Sequence, residues 1–213
     1  MYLPPHFDAS DDLAVLRALV ARDPFATLVS QHDGLPYASH LPLLLEQEGT
    51  SLTLAGHWAR PNPQWKSIAG QTVLAIFHGP HAYVSPTWYP QPATSVPTWN
   101  YAVAHLYGPI QPVTDEAATL DIVDRLSRRF EAADETGWRL ADTDASVPRM
   151  AAGIVGFRIA VRKVEVKLKL SQHHPADKRE GTIAGLARSG APGAAEVAHL
   201  MAAHPGKQGP GNG

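Results

Sequence analysis

The chain has no cysteine among its 213 residues. This absence excludes disulfide bonds, thiolate nucleophiles, iron–sulfur clusters and zinc sites built on cysteine. It does not assign the protein to a cellular compartment. Any metal site would have to use other ligands, of which the chain offers 11 histidines.

Charged residues are also scarce. They make up 18% of the chain, against roughly a quarter in an average soluble domain. A chain with so little charge can bury a substantial core, and it can also bury surface against a second subunit. The net charge is −2 with neutral histidines, so the basic excess expected of a protein that neutralises nucleic-acid phosphates is missing. Binding to DNA therefore has no support from charge.

Long apolar runs are missing as well. No window reaches 18 apolar residues, so we expect no membrane span. The amino-terminal segment MYLPPHFDASDD has no basic stretch followed by an apolar run, so we expect no secretory signal and a cytoplasmic location.

Several catalytic signatures are absent too. We find no Gly-x-Ser-x-Gly elbow, Walker loop or Gly-x-Gly-x-x-Gly motif. The apolar strands carry no paired carboxylates, and the acids cluster in residues 131–144, which is typical of a solvated surface. Hydrolase and kinase chemistry therefore have no support.

What the sequence does contain is a series of short apolar segments separated by turn signals. Six such segments, with a His-Asp-Gly hairpin signal after the first, predict an antiparallel barrel or sandwich. A further alternating segment at 153–170 predicts strand with one buried face. The six segments are FATLVSQ, LPYASHLPLLLEQ, SLTLAGHW, TVLAIFHG, AYVSP and YAVAHLYGPIQPV.

Helices are predicted around these strands. Ser10, followed by two aspartates, predicts the start of a first helix, and Thr114 that of a second. Residues 176–204 predict two short helices. The glycine-rich end predicts disorder. We predict a domain over 1–175, a helical extension packed on it over 176–205, and a disordered tail over 206–213.

Residues 56–70 hold a candidate phosphate site. Asn62-Pro63 predicts a capped turn whose free amides could bind an anion, and His57 and Arg60 lie just before it. The same pair begins many helices that bind no ligand, so both readings stay open.

Residues 86–101 hold a loop rich in proline and aromatic rings. Rings with few charges suit a planar ligand, and Asn100 and Gln64 could bond to its edge. Alternatively, Trp88 and Trp99 fill the end of a barrel or a subunit interface.

The histidines show no spacing typical of a metal site. No His-x-x-x-His pair falls on a predicted helix, and no carboxylate accompanies a histidine pair at ligand spacing. His173-His174 is interpreted as a solvated turn. We therefore predict no metal ligands.

Several long segments together resemble one known family, the PaiB-type FMN-binding negative transcriptional regulators. The resemblance covers nearly the whole chain in order. It is carried by MYLPPHF at the start, GHWARPNPQWK at 56–66, GPHAYVSPTWY at 79–89, VPTWNYAVAHLYG at 96–108, GIVGFRI at 153–159 and KLSQ at 169–172.

This resemblance implies an α+β fold, a six-stranded antiparallel split β-barrel with peripheral helices, related to flavin reductases and pyridoxamine-phosphate oxidases. It implies FMN as cofactor and a homodimer with the flavin groove between subunits. Related barrels often hold the phosphate with cations on the second strand. Here the second strand carries no lysine or arginine, so backbone amides, His57 and Arg60 would hold the phosphate. By similarity the cofactor-binding residues are Ser39, His40, Leu41, His57, Trp58, Arg60, Asn62, Gln64, Trp65, Trp99, Asn100, Tyr101, Lys169, Ser171 and Gln172.

Three functions remain open at this point. The first is a flavin-binding regulator, although residues 176–204 carry only Lys178, Arg179 and Arg188 as basic side chains and predict packing helices more than a DNA-reading pair. The second is an FMN-dependent oxidoreductase, with the flavin carrying the electrons and His57, His81 or Tyr101 as acid or base. The third is a haem or small-ligand binder with His81 on the iron.

Overall fold

The structure, a computed structural model, describes residues 1–131, 137–144 and 146–205. Contacts divide it into two compact units, each discontinuous in sequence. Unit 1 consists of Met1–Arg22, His78–Ala104 and the chain from Glu165 onward; unit 2 consists of Asp23–Phe77 and His105–Val164. The domain boundary at residue 175 stays a prediction, and the predicted tail 206–213 lies outside the described residues.

The described residues form eight strands and five α-helices, which confirms the α+β class but not the count of six strands. The strands are β1 Phe25–His32, β2 Leu35–Pro42, β3 Leu44–Glu48, β4 Ser51–Ala59, β5 Thr72–Val84, β6 Thr98–Val113, β7 Ile154–Ala160 and β8 Lys163–Lys169. The helices are α1 Leu13–Arg22, α2 Glu116–Glu131, α3 Ser146–Arg149, α4 Ala176–Ser189 and α5 Ala194–Ala203.

The difference in strand count has three local causes. The second predicted segment is interrupted at Leu43, whose N–H bonds to the carbonyl of Pro24 instead of continuing a ladder. The fourth and fifth predicted segments are one strand, because Gly79 has no side chain to collide with Ala102: a Cβ there would lie 2.8 Å from the Ala102 carbonyl oxygen. The segment at 153–170 divides into β7 and β8.

In unit 2 the strand order is β2-β1-β5-β6-β7-β4-β3, and every pair with a defined register is antiparallel. The β1–β2 hairpin turns at Asp33 and Gly34, both at positive φ, as the His-Asp-Gly signal predicts. Its register places Ser39 opposite Leu28 and His40 opposite Thr27. The core of this unit includes Trp58 and Phe157.

In unit 1, β8 pairs with β6, and helices α1, α4 and α5 bury apolar side chains such as Leu16, Val197 and Met201. Helix α1 is capped by Asp12, whose carboxylate accepts from the N–H groups of Ala14 and Val15. The predicted cap, Ser10, instead accepts from the Val166 N–H, because that strand needs a partner for its amide.

Candidate functional site

The predicted cofactor residues fall into two groups, one in each unit. The group in unit 2 lies on β2, on β4 and in the 3₁₀ turn Pro63–Ser67, and the group in unit 1 lies on β6 and at the end of β8. The unit 2 group is Ser39, His40, Leu41, His57, Trp58, Arg60, Asn62, Gln64 and Trp65. The unit 1 group is Trp99, Asn100, Tyr101, Lys169, Ser171 and Gln172.

Asn62 organises the turn in unit 2. Its side-chain oxygen accepts from the Gln64 N–H at 3.0 Å, so it caps the 3₁₀ turn as the Asn-Pro pair predicts. Its side-chain amide donates to the Ser39 hydroxyl at 2.9 Å. This second bond ties the turn to β2, so two predicted site residues that are 23 positions apart are held together.

Gln64 connects the turn to the core. Its side chain is 1% exposed. Its amide nitrogen lies within hydrogen-bond distance of the Leu28 carbonyl (3.2 Å), the Ser30 hydroxyl (2.9 Å) and the Tyr37 carbonyl (3.3 Å). Its oxygen accepts from the indole N–H of Trp58 at 2.9 Å. The amide of Gln64 therefore makes its hydrogen bonds inside the protein.

Arg60 and Trp65 brace the entry to the same turn. The Arg60 guanidinium donates to the carbonyls of Ala152 and Ile154, the latter at 2.8 Å. The Trp65 indole N–H donates to the Arg60 carbonyl at 2.8 Å. Arg60 remains exposed, but part of its donor capacity holds the backbone before β7.

His57 has an unpaired polar atom. Its Nδ1 is buried and has no hydrogen-bond partner within the described part of the chain, and burial lowers the pKa of the imidazole. A buried nitrogen without a partner is costly unless a further group satisfies it. A polar cofactor edge is such a group, so this residue fits the cofactor that the resemblance implies.

The predicted β2 residues point to opposite faces. Ser39 and Leu41 are buried, whereas His40 is exposed, because neighbouring side chains alternate along a strand. The His40 imidazole lies 3.1 Å from the Thr27 hydroxyl and stacks near the exposed ring of Phe25.

The unit 1 group centres on Asn100 and Ser171. The buried Ser171 hydroxyl donates to the side-chain oxygen of Asn100 at 3.1 Å, and the Asn100 amide contacts the Met201 sulfur at 3.3 Å. Lys169 donates to the Thr98 hydroxyl at 2.5 Å and to the Trp99 carbonyl at 2.7 Å.

The other three residues of this group have different surroundings. The side-chain amide of Gln172 forms hydrogen bonds with the backbone just before it. Its oxygen accepts from the Leu170 N–H, and its nitrogen donates to the Leu168 carbonyl. Tyr101 lies under the ammonium of Lys167. Trp99 is 52% exposed.

Asn100, Lys169 and Ser171 line a cavity of about 390 Å³ in unit 1. We call it the lysine cavity. It is also lined by Lys178, His173 and His174, which were not predicted as site residues. His173 and His174 lie in a turn, as predicted, and His173 is exposed, but His174 is half-buried and both side chains line the cavity. Their position directly after KLSQ was a signal that could have identified them.

No group of three or more histidine, aspartate or glutamate side chains could hold a metal ion within the residues that the structure describes. No helix in the same ranges combines the length and apolar character needed to cross a bilayer.

Comparison with solved structures identifies the fold. The FAD and haem binding protein from Mycobacterium smegmatis superposes with a TM-score of 0.56 at 19% identity, covering 87% of this chain and 82% of that one. A flavocytochrome from Azotobacter vinelandii also gives 0.56, at 13% identity over 74% of this chain and 67% of its own. The fold is that of the split-barrel proteins, as predicted.

Sequence comparison then gives the family. The family described as "Putative FMN-binding domain" matches residues 1–163. The protease synthase and sporulation protein PAI 2 of Bacillus subtilis is 32% identical over 206 residues, spanning 94% of this chain and 96% of its own. An uncharacterized protein of Emericella nidulans is 29% identical over 91% of this chain and 93% of its own. The chain therefore belongs to this PaiB-like FMN-binding family, which confirms the resemblance. The family's description names FMN as the cofactor.

Proposed function

We propose that this protein binds FMN and that the turn capped by Asn62 is one of its contacts with the cofactor. The observation that carries this proposal is the connected set of hydrogen bonds from Ser39 through Asn62 and Gln64 to Trp58. The set gives the turn one conformation before any ligand arrives, which lowers the entropic cost of binding.

FMN would supply electron or hydride transfer when bound, while the protein orients and shields it. The residues of unit 2 that would hold it are the amides of the turn, the His57 imidazole and the exposed part of Arg60. Burial lowers the pKa of His57. A neutral imidazole at pH 7 would contribute a hydrogen bond rather than a charge.

We further propose that the protein acts as a homodimer. Support comes from the resemblance stated above and from exposed apolar side chains on one hairpin of unit 1. Trp99 lies within ring contact of Tyr83, and both are about half exposed. Exposed aromatic clusters of this kind mark interaction surfaces.

The proposed output is regulatory rather than metabolic. The printed name of the Bacillus subtilis relative refers to protease synthase and sporulation, and the resemblance is to negative regulators. We propose that helices α4 and α5 do not read DNA. Arg179, one of their three basic residues, is buried and donates to the carbonyls of Leu170, Met201 and His204.

Replacing Asn62 by alanine is expected to weaken FMN binding by about fivefold, since a lost cap costs about 1 kcal/mol and a tenfold change would need about 1.4 kcal/mol. Titration followed by flavin fluorescence measures this. Ser85→Ala removes a chemically similar cap, on the Thr87 N–H of unit 1, and is the matched control.

Equal FMN affinity in the wild-type and Asn62→Ala proteins would contradict the assignment of this turn. Absence of any flavin band or quenching in the wild-type protein would contradict FMN binding itself. Rapid nicotinamide oxidation by the FMN-loaded protein would favour the oxidoreductase alternative over the regulatory one.

A further inference from the structure

The lysine cavity carries an excess of positive charge, which has no part in the proposal that the turn capped by Asn62 binds FMN. Its lining contains the ammonium groups of Lys169 and Lys178 and no carboxylate. Neither lysine forms an ion pair with any carboxylate in the described ranges. Partly buried cations without counter-charges are electrostatically unfavourable, and an anionic ligand would relieve this cost.

The pKa values of the titratable groups around the cavity are lowered by burial and by the same positive charges. Burial and the charge of Lys167 lower the pKa of Lys169. The pKa of His174 is lowered to about 4 by burial, the largest cause, together with the charges of His173, Lys178, Arg179 and Lys169. Every one of these charged neighbours is basic, so the local potential is positive, and an anion in the cavity would move each pKa back upward.

The polar groups of the cavity are held in place before any ligand binds. Ser171 is 2% exposed and has φ of 60°, a left-handed conformation that non-glycine residues seldom adopt outside turns and functional sites. Its hydroxyl is oriented by Asn100, and the Lys169 ammonium is oriented by Thr98 and the Trp99 carbonyl. The Ser171 hydroxyl proton is thus used within the protein, whereas the Lys169 ammonium keeps one N–H for a ligand. Polar groups that are positioned in advance are typical of a binding site.

One wall of the cavity is aromatic. Tyr89 is buried, and the Lys178 ammonium lies 4.1 Å from the centre of its ring. The rings of His173 and His174 lie 4.0 Å apart, and Phe7 packs at the edge of His173. Rings beside two ammonium groups suit a ligand that has a flat organic part and an anionic end.

We propose that the lysine cavity binds the phosphate of a small phosphate monoester, with Lys169 and Lys178 as its cationic contacts and the aromatic wall beside the organic part of the ligand. Lysine is a common point-charge partner of phosphate. Lys169, Ser171 and Lys178 all lie beyond residue 163, where the match to the "Putative FMN-binding domain" ends, although Lys169 and Ser171 belong to the KLSQ segment. The phosphate could be that of FMN itself or that of a different phosphorylated molecule, and the experiment separates these sources.

The probe is inorganic phosphate, added at constant ionic strength while the imidazole NMR signals of His173 and His174 are followed. The expected result is a saturable shift of both signals and a rise in the pKa of His174 above about 4. Lys178→Gln is expected to weaken phosphate binding by about tenfold, because one charge-assisted contact is lost. Lys169→Met is the second variant, with the same expected direction.

Arg188→Gln is the matched control. It removes the same charge from an exposed position on the same helix, and Arg188 does not line the cavity. Unchanged histidine signals on adding phosphate to the folded wild-type protein overturn the proposal. If Lys178→Gln and Arg188→Gln weaken phosphate binding equally, the proposal is also overturned, because the effect then depends on the net charge of the protein and not on the cavity.

Parallel titrations with FMN and riboflavin identify the source of the phosphate. If Lys178→Gln weakens binding of FMN but not of riboflavin, the cavity holds the phosphate of FMN. If FMN binding is unchanged while phosphate binding is lost, the cavity serves another phosphorylated ligand. FMN binding without any phosphate effect on His173 and His174 overturns only the cavity proposal and leaves the proposed function intact.

Discussion

Gln64→Glu is expected to destabilise the protein by about 3 kcal/mol or more at pH 8, although the two side chains have nearly the same shape. The wild-type amide nitrogen faces the Leu28 and Tyr37 carbonyls and the Ser30 hydroxyl. A carboxylate oxygen at that place would face two carbonyl acceptors with no proton to give, in a position that is 1% exposed. Thermal unfolding measures the effect, which corresponds to a fall in Tm of about 6–12 °C.

The pH dependence of this variant has a definite sign. Burial would raise the pKa of the carboxyl introduced at position 64 in the folded protein above its unfolded value. The penalty relative to wild type is therefore full above the folded pKa and decreases as the pH falls through it. Gln91→Glu makes the same chemical change at an exposed position and is the control. Equal melting temperatures of the two variants at pH 8 would refute the buried role of Gln64.

Gly185→Ala is expected to cost about 2 kcal/mol of folding free energy, despite the better helix propensity of alanine. A Cβ at this position of α4 would lie 2.2 Å from Cδ2 and 2.4 Å from Cγ of Trp88. Both atoms belong to the rigid indole ring, so the clash is relieved only if the whole ring or helix α4 shifts. Overpacking of this kind costs up to about 3 kcal/mol, and helix propensity returns about 1 kcal/mol.

A double-mutant cycle with Trp88→Ala tests that cause. Without the indole, alanine at position 185 is expected to cost nothing and to gain up to about 1 kcal/mol from helix propensity, so the two sites should couple by about 3 kcal/mol. Ala184→Gly, at an exposed position of the same helix, measures the propensity term alone. If Gly185→Ala cost the same free energy of unfolding with and without the Trp88 indole, the packing of α4 on the turn Pro86–Trp88 would be contradicted.

Local signals predicted the parts of the structure that depend on a few neighbouring residues. Asp33-Gly34 was predictable as a hairpin turn because both residues tolerate positive φ. Asn62-Pro63 was predictable as a capped turn because the cap bond spans two residues. The long motifs around Trp58 and Trp99 were enough to predict the family and the split-barrel fold, which the comparisons confirm.

The roles of several motif residues were not predictable in the same way. Gln64 stays a predicted ligand contact, and what the sequence did not predict is that its amide bonds to residues on β1 and β2 that lie 27 to 36 positions earlier. His40 and Ser39 are adjacent in sequence and were predicted together, yet they occupy opposite faces of β2. Strand register decides both outcomes, and register depends on how the whole sheet pairs.

The sequence by itself determined the chemistry available to this protein, with no thiol, little charge and a set of long motifs that specify an FMN-binding split barrel. Only the tertiary structure decided how those residues are used. It buries Gln64, leaves the Nδ1 of His57 without a partner among the described residues, and brings Lys169 and Lys178 to the lining of one cavity. The physical reason is that burial and side-chain proximity arise from contacts between distant segments, which no local pattern encodes.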